Sequence, residues 1–136
     1  MNRKYNSKYF PPIPQLSVRF GERGEQQGPF DAIVDTGADA TIVPERILIQ
    51  AKAEFIRPGQ VRTQWGEIHK IQVYIVAVEI EEVSLPGVIV VGDPVAKEII
   101  LGRNVLNKLP LFLDGPQLKI HLLSEAAANR LRARLG

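Results

Sequence analysis

One acidic side chain stands out for its setting. Asp35 follows the β-branched residues Ile33 and Val34 and precedes Thr36, Gly37 and Ala38. The apolar pair reads as the end of a buried strand, so Asp35 falls where the backbone must turn sharply. Gly37 permits such a turn and leaves main-chain N–H groups close to the acid. Donors of that kind stabilise a carboxylate. The Thr36 hydroxyl can bond main chain across a close contact and lock the loop. A carboxylate held rigidly where water reaches it is suited to moving protons to and from that water.

One carboxylate is not enough to hydrolyse a peptide bond by this route. The water must lose a proton while the carbonyl oxygen gains a hydrogen bond, and two carboxylates sharing one proton do both. The sequence contains a single Asp-Thr-Gly. Its nearest imitation, Phe112-Leu113-Asp114-Gly115, lacks the hydroxyl residue, runs into Pro116 and reads as a turn. A second copy of the chain is therefore expected to supply the other acid, with two Asp35 side chains facing each other across a two-fold axis. Such a pair titrates as a unit and needs one proton. Activity is then expected to follow a bell-shaped pH profile on the acid side of neutral.

A second segment belongs with the first. Ile99-Ile100-Leu101-Gly102-Arg103-Asn104 is an apolar strand, a glycine and a helix start. It reads as the counterpart of the Asp35 segment, the two apolar strands crossing beneath the loop. Arg103 is placed to pair with Asp39, whose charge would otherwise be costly near a buried turn.

The elements that must position these groups read as mostly β. Residues 1–14 are polar, then rich in proline, and read as a flexible N-terminal arm. Residues 15–123 carry the domain. Residues 15–20 alternate apolar and polar as a strand does. The clearest strand pattern runs from Val61 to Glu81, with a hairpin tip at Gln64, Trp65, Gly66 and Glu67. Residues 85–91, 98–101, 111–113 and 118–123 read as further strands. Asn104 is expected to cap a short helix ending near Lys108, with Leu106, Leu109 and Leu111 in the core. Ser124 is expected to cap a C-terminal helix over residues 124–136. Many short strands with turn signals point to a closed, mainly antiparallel barrel.

Composition narrows the function classes. A chain of 136 residues with 45% hydrophobic and 24% charged content fits one domain with its own core. A net charge of +2 implies no strong electrostatic partner. Basic residues gather at both ends, at Arg3, Lys4 and Lys8 and at Arg130, Arg132 and Arg134, and read as solvated termini. There is no cysteine, which removes disulfides and thiolate ligands and fits a reducing cytoplasm. His69 and His121 stand apart, so no metal site and no cofactor are expected. No apolar run approaches the ~20 residues of a membrane helix. With aromatics at 7%, a nucleic-acid-binding barrel has little support.

Asp35-Thr36-Gly37-Ala38-Asp39, followed some way on by Ile100-Leu101-Gly102-Arg103-Asn104 and an apolar helix, resembles the retropepsin family of aspartic proteases. That family includes the retroviral enzymes and their cellular and bacterial relatives. The resemblance spans residues 16–123 and implies an acid-protease fold working as a homodimer on extended peptides. It implies that Asp35 is catalytic, that Thr36 interlocks the two copies, and that Gly37 presents main chain to substrate. It also implies an Asp39–Arg103 ion pair and a flap formed by the hairpin at Trp65 and Gly66. Two departures are visible. The hairpin tip is not glycine-rich, and a helix follows residue 123. The strand expected over residues 118–123 could still interleave with a partner, as chain termini do in the retroviral enzymes. A catalytically inactive dimeric peptide-binding module on the same fold is the competing reading.

Overall fold

The segment Gln15–Phe20 shows how alternation builds the core. Leu16, Val18 and Phe20 are fully buried, while Ser17 and Arg19 between them are only half-buried. A strand sends successive side chains to opposite faces, so this pattern packs one face inward. The computed structural model describes residues 1–136. In chain order the first elements are β1 (Asn2–Lys4), β2 (Gln15–Phe20), β3 (Gln27–Val34), β4 (Thr41–Pro44) and α1 (Glu45–Gln50). Then come β5 (Glu54–Arg62), β6 (Ile68–Ile80), β7 (Val83–Asp93), β8 (Ile99–Leu101) and α2 (Arg103–Leu106). β9 (Leu111–Asp114), β10 (Lys119–Leu122) and α3 (Glu125–Leu135) complete the fold. No helix is long and apolar enough to cross a membrane.

Seven strands form one sheet in the order β2-β3-β8-β4-β7-β6-β5. A further pairing of β2 with β6 closes six of them into a barrel, and β5 extends outward from β6. The all-β, barrel-like expectation is borne out, with a short helix after Gly102 and a helix at the C-terminal end. A cluster of 22 buried residues fills the interior. The remaining strands form a separate three-stranded sheet, β1-β10-β9, whose Ile120 and Leu122 join that same cluster.

Long-range order is clearest at β8. It pairs in parallel with β3, Ala32 to Ile99 through Val34 to Leu101, and antiparallel with β4, Ile42 to Ile100. The strands before and after the Asp35 turn are thus held apart by a strand that arrives much later in sequence. Each needs β8 to complete its main-chain hydrogen bonds.

Several boundaries differ from the sequence reading, each for a physical reason. β5 begins at Glu54, before the expected strand, and its first five residues are all exposed, so no alternation marks its start. β7 continues through Pro86-Gly87 without a break. Val76 faces Val88 and Val78 faces Leu85, so Pro86 and Gly87 together oppose Ala77 in a bulge. The helix after β8 has Gly102, not Asn104, at its N-cap, and the Asn104 side chain is engaged elsewhere. The N-terminal arm is tied down over part of its length. Asn2–Lys4 pair with Lys119, Ile120 and His121, and Asn6 bridges to Ile13. Arg3 further binds Asp31 at 3.0 Å and Glu81 at 3.6 Å. Ser124 caps α3 as expected, accepting from Ala127 N–H at 3.1 Å.

The short helix α1 is anchored by Ile47 and Leu48 in the core and by one side-chain hydrogen bond at its start. Tyr74, buried on β6, donates its hydroxyl to Glu45 Oε2 at 2.9 Å. Burial first, then the bond to the Glu45 carboxylate and its charge, raise the Tyr74 pKa above the usual 10.0. A phenol that holds its proton longer folded than unfolded stabilises the fold below pH ~10, and that contribution is lost as pH rises through the raised value. Tyr74→Phe is therefore expected to cost about 1 kcal/mol at neutral pH. The difference between the two proteins should shrink as pH climbs past 10, because only the parent then loses a bond. Denaturant midpoints for both proteins from pH 7 to 11 check this.

Candidate active site

Asp35 lies immediately after β3, partly exposed, on a turn fixed by main-chain bonds on both sides. Its N–H donates to Leu101 O on β8 at 3.1 Å, and its carbonyl accepts from Ala38 N–H at 3.2 Å. Gly37 N–H donates to Asp35 Oδ1 at 2.9 Å, so the carboxylate is aimed by its own loop. A Cβ on Gly37 would stand only 3.1 Å from that oxygen. The need for glycine there is therefore space beside the carboxylate rather than a left-handed backbone.

The far side of the turn is closed by the start of α2. Arg103 N–H donates to Ala38 O at 2.8 Å. The Arg103 guanidinium donates to Thr36 O at 2.9 Å. This replaces the expected Asp39–Arg103 ion pair, which the chain does not form. Asp39 is exposed and keeps its hydration, whereas the Thr36 carbonyl in a sharp turn lacks a helical or sheet partner.

Beneath the turn sits a buried polar bridge that the sequence reading did not identify. Thr41 is 1% exposed. Its hydroxyl accepts from Gly102 N–H at 3.1 Å and donates to Asn104 Oδ1 at 2.8 Å. The Asn104 amide in turn donates to Ile89 O on β7 at 2.9 Å. One hydroxyl and one amide thus join β4, α2 and β7 under the catalytic candidate. Asn104 had read only as a helix cap. The visible hint was a hydroxyl inside the apolar run from Ala40 to Val43.

A second feature was also missed. Ile71, Val73 and Val91 form a small buried cluster separate from the main core, with Ala40, Ile42 and Val61 against it. It links the inner face of the β5–β6 hairpin to the residues just after the Asp35 turn. The hairpin tip falls where expected, in the turn from Thr63 to Glu67, closed by Thr63 N–H to Glu67 O at 2.9 Å. Gln64, Trp65, Gly66 and Glu67 are all exposed, Trp65 by 82%. Their polar contacts are local, such as Trp65 N–H to Thr63 Oγ1 at 3.3 Å.

The strand β8 inserted between β3 and β4 and the aimed carboxylate of Asp-Thr-Gly define a retropepsin-like aspartic protease domain. Residues 25–108 match the family described as "gag-polyprotein putative aspartyl protease", and the chain belongs to that family. A search of curated proteins finds no match. Among solved structures, the chain is similar to the EIAV protease complexed with the inhibitor HBY-793. That likeness has a TM-score of 0.56 and 16% identity, covering 78% of this chain and 93% of that one. It is also similar to the retroviral protease-like domain of Ddi1 from Leishmania major. There the TM-score is 0.51 and the identity 17%, over 83% of this chain and 95% of that one. Both likenesses bear on the fold.

The buried bridge makes two substitutions diagnostic. A Cβ at Gly102 would meet Ala40 O at 2.3 Å and Ala40 C at 2.5 Å, both main chain. Gly102→Ala is expected to destabilise by about 3 kcal/mol or more, since backbone must move. Thr41→Val keeps the shape but strands the Gly102 N–H, at an expected cost of about 1–3 kcal/mol. Chemical denaturation of each variant reads both numbers.

Proposed function

We propose that the protein is an aspartic endopeptidase that works as a homodimer, with Asp35 from each copy forming the catalytic pair. The observation that carries this is the Asp35 turn itself. A carboxylate is aimed by Gly37 N–H and pegged to β8, yet remains partly exposed.

In the proposed reaction one Asp35 of the pair is ionised and the other protonated. The ionised carboxylate takes a proton from a water lying between them. The water oxygen bonds to the carbonyl carbon of the scissile peptide. The protonated Asp35 gives its proton to the carbonyl oxygen, forming a tetrahedral diol. The diol then collapses: one of its hydroxyls gives its proton to the ionised carboxylate and becomes the product carbonyl, the C–N bond breaks, and the leaving nitrogen takes a proton from the other carboxyl. The site ends with one proton, as it began.

Thr36 and Gly37, both exposed beside Asp35, are assigned to the contact between copies and to the substrate main chain. The β5–β6 hairpin is assigned as a flap, with Trp65 and its neighbours closing over the substrate. An extended peptide would lie beneath it as an added strand. The cluster around Ile42, Val61 and Val91 favours apolar side chains beside the cleaved bond. Asp39 and Arg103 are assigned a structural role at the rim of the turn.

Asp35→Asn should abolish cleavage of a peptide library from pH 4 to 7 while the folded dimer persists. The parent protein should cleave with a bell-shaped pH dependence and be blocked by an aspartic protease inhibitor. Cleavage retained by Asp35→Asn would rule the mechanism out. Peptide binding without any cleavage would instead favour a non-catalytic binding module.

A further inference from the structure

A cleft lies where the N-terminal arm crosses the barrel wall. Residues 6–13 leave the wall as a small loop. Asn6 N–H donates to Ile13 O at 2.8 Å and Ile13 N–H donates to Asn6 O at 3.2 Å, which closes it. The Tyr9 hydroxyl donates to Glu98 Oε2 and ties the loop to the segment before β8. Between this loop, β3 and α1 a space of about 390 Å³ remains. That size falls in the range of small-molecule sites. None of residues 35–39 lines it. Arg46 and Gln50 do, and their helix follows the end of β4 remote from the Asp35 turn.

The lining has an apolar part and a polar part that differ in how much of their bonding capacity is used. Ile33, Ile47 and Ile99 are buried and supply apolar surface. The two carboxylates are engaged, Asp31 by Arg3 at 3.0 Å and Glu98 by Tyr9. The two cations are not. Arg46 and Lys97 are exposed and enter no ion pair. Gln15 is 7% exposed and pairs in register with Ile33, so its amide stands beside the apolar surface. Its carbonyl accepts from the Asn6 amide at 3.0 Å, while its own NH2 has no partner in the chain. A donor so nearly buried is costly unless something in the cleft accepts from it. The unused capacity of the cleft is therefore donors, two of them charged.

We propose that this cleft binds a carboxylate carried on an apolar stem, its source being the C-terminal end of a peptide that finishes in an aliphatic residue. The carboxylate takes charged donors from Arg46 and Lys97, and bonds of that kind are the strong ones. The guanidinium of Arg46 suits a carboxylate further, because its planar fork matches the two oxygens. The aliphatic side chain lies on Ile33, Ile47 and Ile99 and removes apolar surface from water. The last peptide carbonyl accepts from the Gln15 NH2. A bare inorganic anion would use the cations alone and leave both the apolar surface and the Gln15 amide idle. The proposed cleavage would release ends of this type, although the cleft stands without it.

The test titrates the isotope-labelled full chain at neutral pH and follows side-chain amide signals by nuclear magnetic resonance. Four compounds are compared: acetyl-leucine, acetyl-leucinamide, hexanoate and inorganic phosphate. Acetyl-leucine should shift the Gln15 amide signal and bind at least about tenfold more tightly than its amide, which lacks the charge. Equal binding of the two overturns the proposal, as do shifts that leave Gln15 untouched. Phosphate binding as tightly as acetyl-leucine also overturns it, since the apolar surface then contributes nothing. Weaker binding of hexanoate supports a peptide end. Hexanoate binding as tightly as acetyl-leucine overturns that source and assigns the stem to an aliphatic acid. Arg46→Gln combined with Lys97→Gln changes only exposed side chains, so the fold should persist. It should weaken acetyl-leucine at least about tenfold, and unchanged affinity would sink the site. Acetyl-leucine has no bond between two residues to cleave, so the readout is binding alone. A protein that binds it as described but cleaves no peptide loses the protease reading and keeps the cleft.

Discussion

The insertion of β8 between β3 and β4 is the constraint on which the rest depends. β3 delivers Asp35 and β4 carries the chain away from it. Neither strand completes its ladder without β8. The strand therefore fixes the Asp35 turn from below through Leu101 O, and from the side through the helix that follows at Arg103. Gly102 is the joint between these two supports. Its missing side chain lets Ala40 O approach to a distance no Cβ would tolerate. Thr41 and Asn104 satisfy the polar groups this close packing buries, and a buried group without a partner would cost more than the bond contributes.

The same economy explains why Arg103 serves Thr36 rather than Asp39. An exposed ion pair contributes little, because water already solvates both charges. A turn carbonyl has fewer alternatives, and a charged donor makes a strong bond to it. The loop that carries the acid is thus rigid by main-chain geometry, with charge used only at its rim. Rigidity matters because a carboxylate must meet water and substrate within a few tenths of an ångström.

The second sheet gives the molecule its other asymmetry. It binds the N-terminal strand into its own chain and leaves β9 open. Arg3 strengthens that choice by tying β1 to Asp31 on β3, the strand that leads into Asp35. The N-terminal residues are in this way part of the support for the site, although their composition read as a loose arm.

Much of this was legible in the residues. Asp35 with its glycine and its apolar lead-in, the Gly102-Arg103-Asn104 segment, the hairpin tip at Trp65 and the Ser124 cap all declare themselves, because each depends on local geometry or short spacing. The sequence alone therefore determined the all-β class, the candidate acid and its loop. Tertiary structure decided the rest: β8 lying between β3 and β4, the Thr41–Asn104 bridge, the Arg103 contact with Thr36, and the pairing of β1 with β10. These join residues far apart in the chain. A hydrogen-bonding group shows in a sequence what it is able to bind, but only the folded neighbourhood supplies the partner and leaves another edge without one.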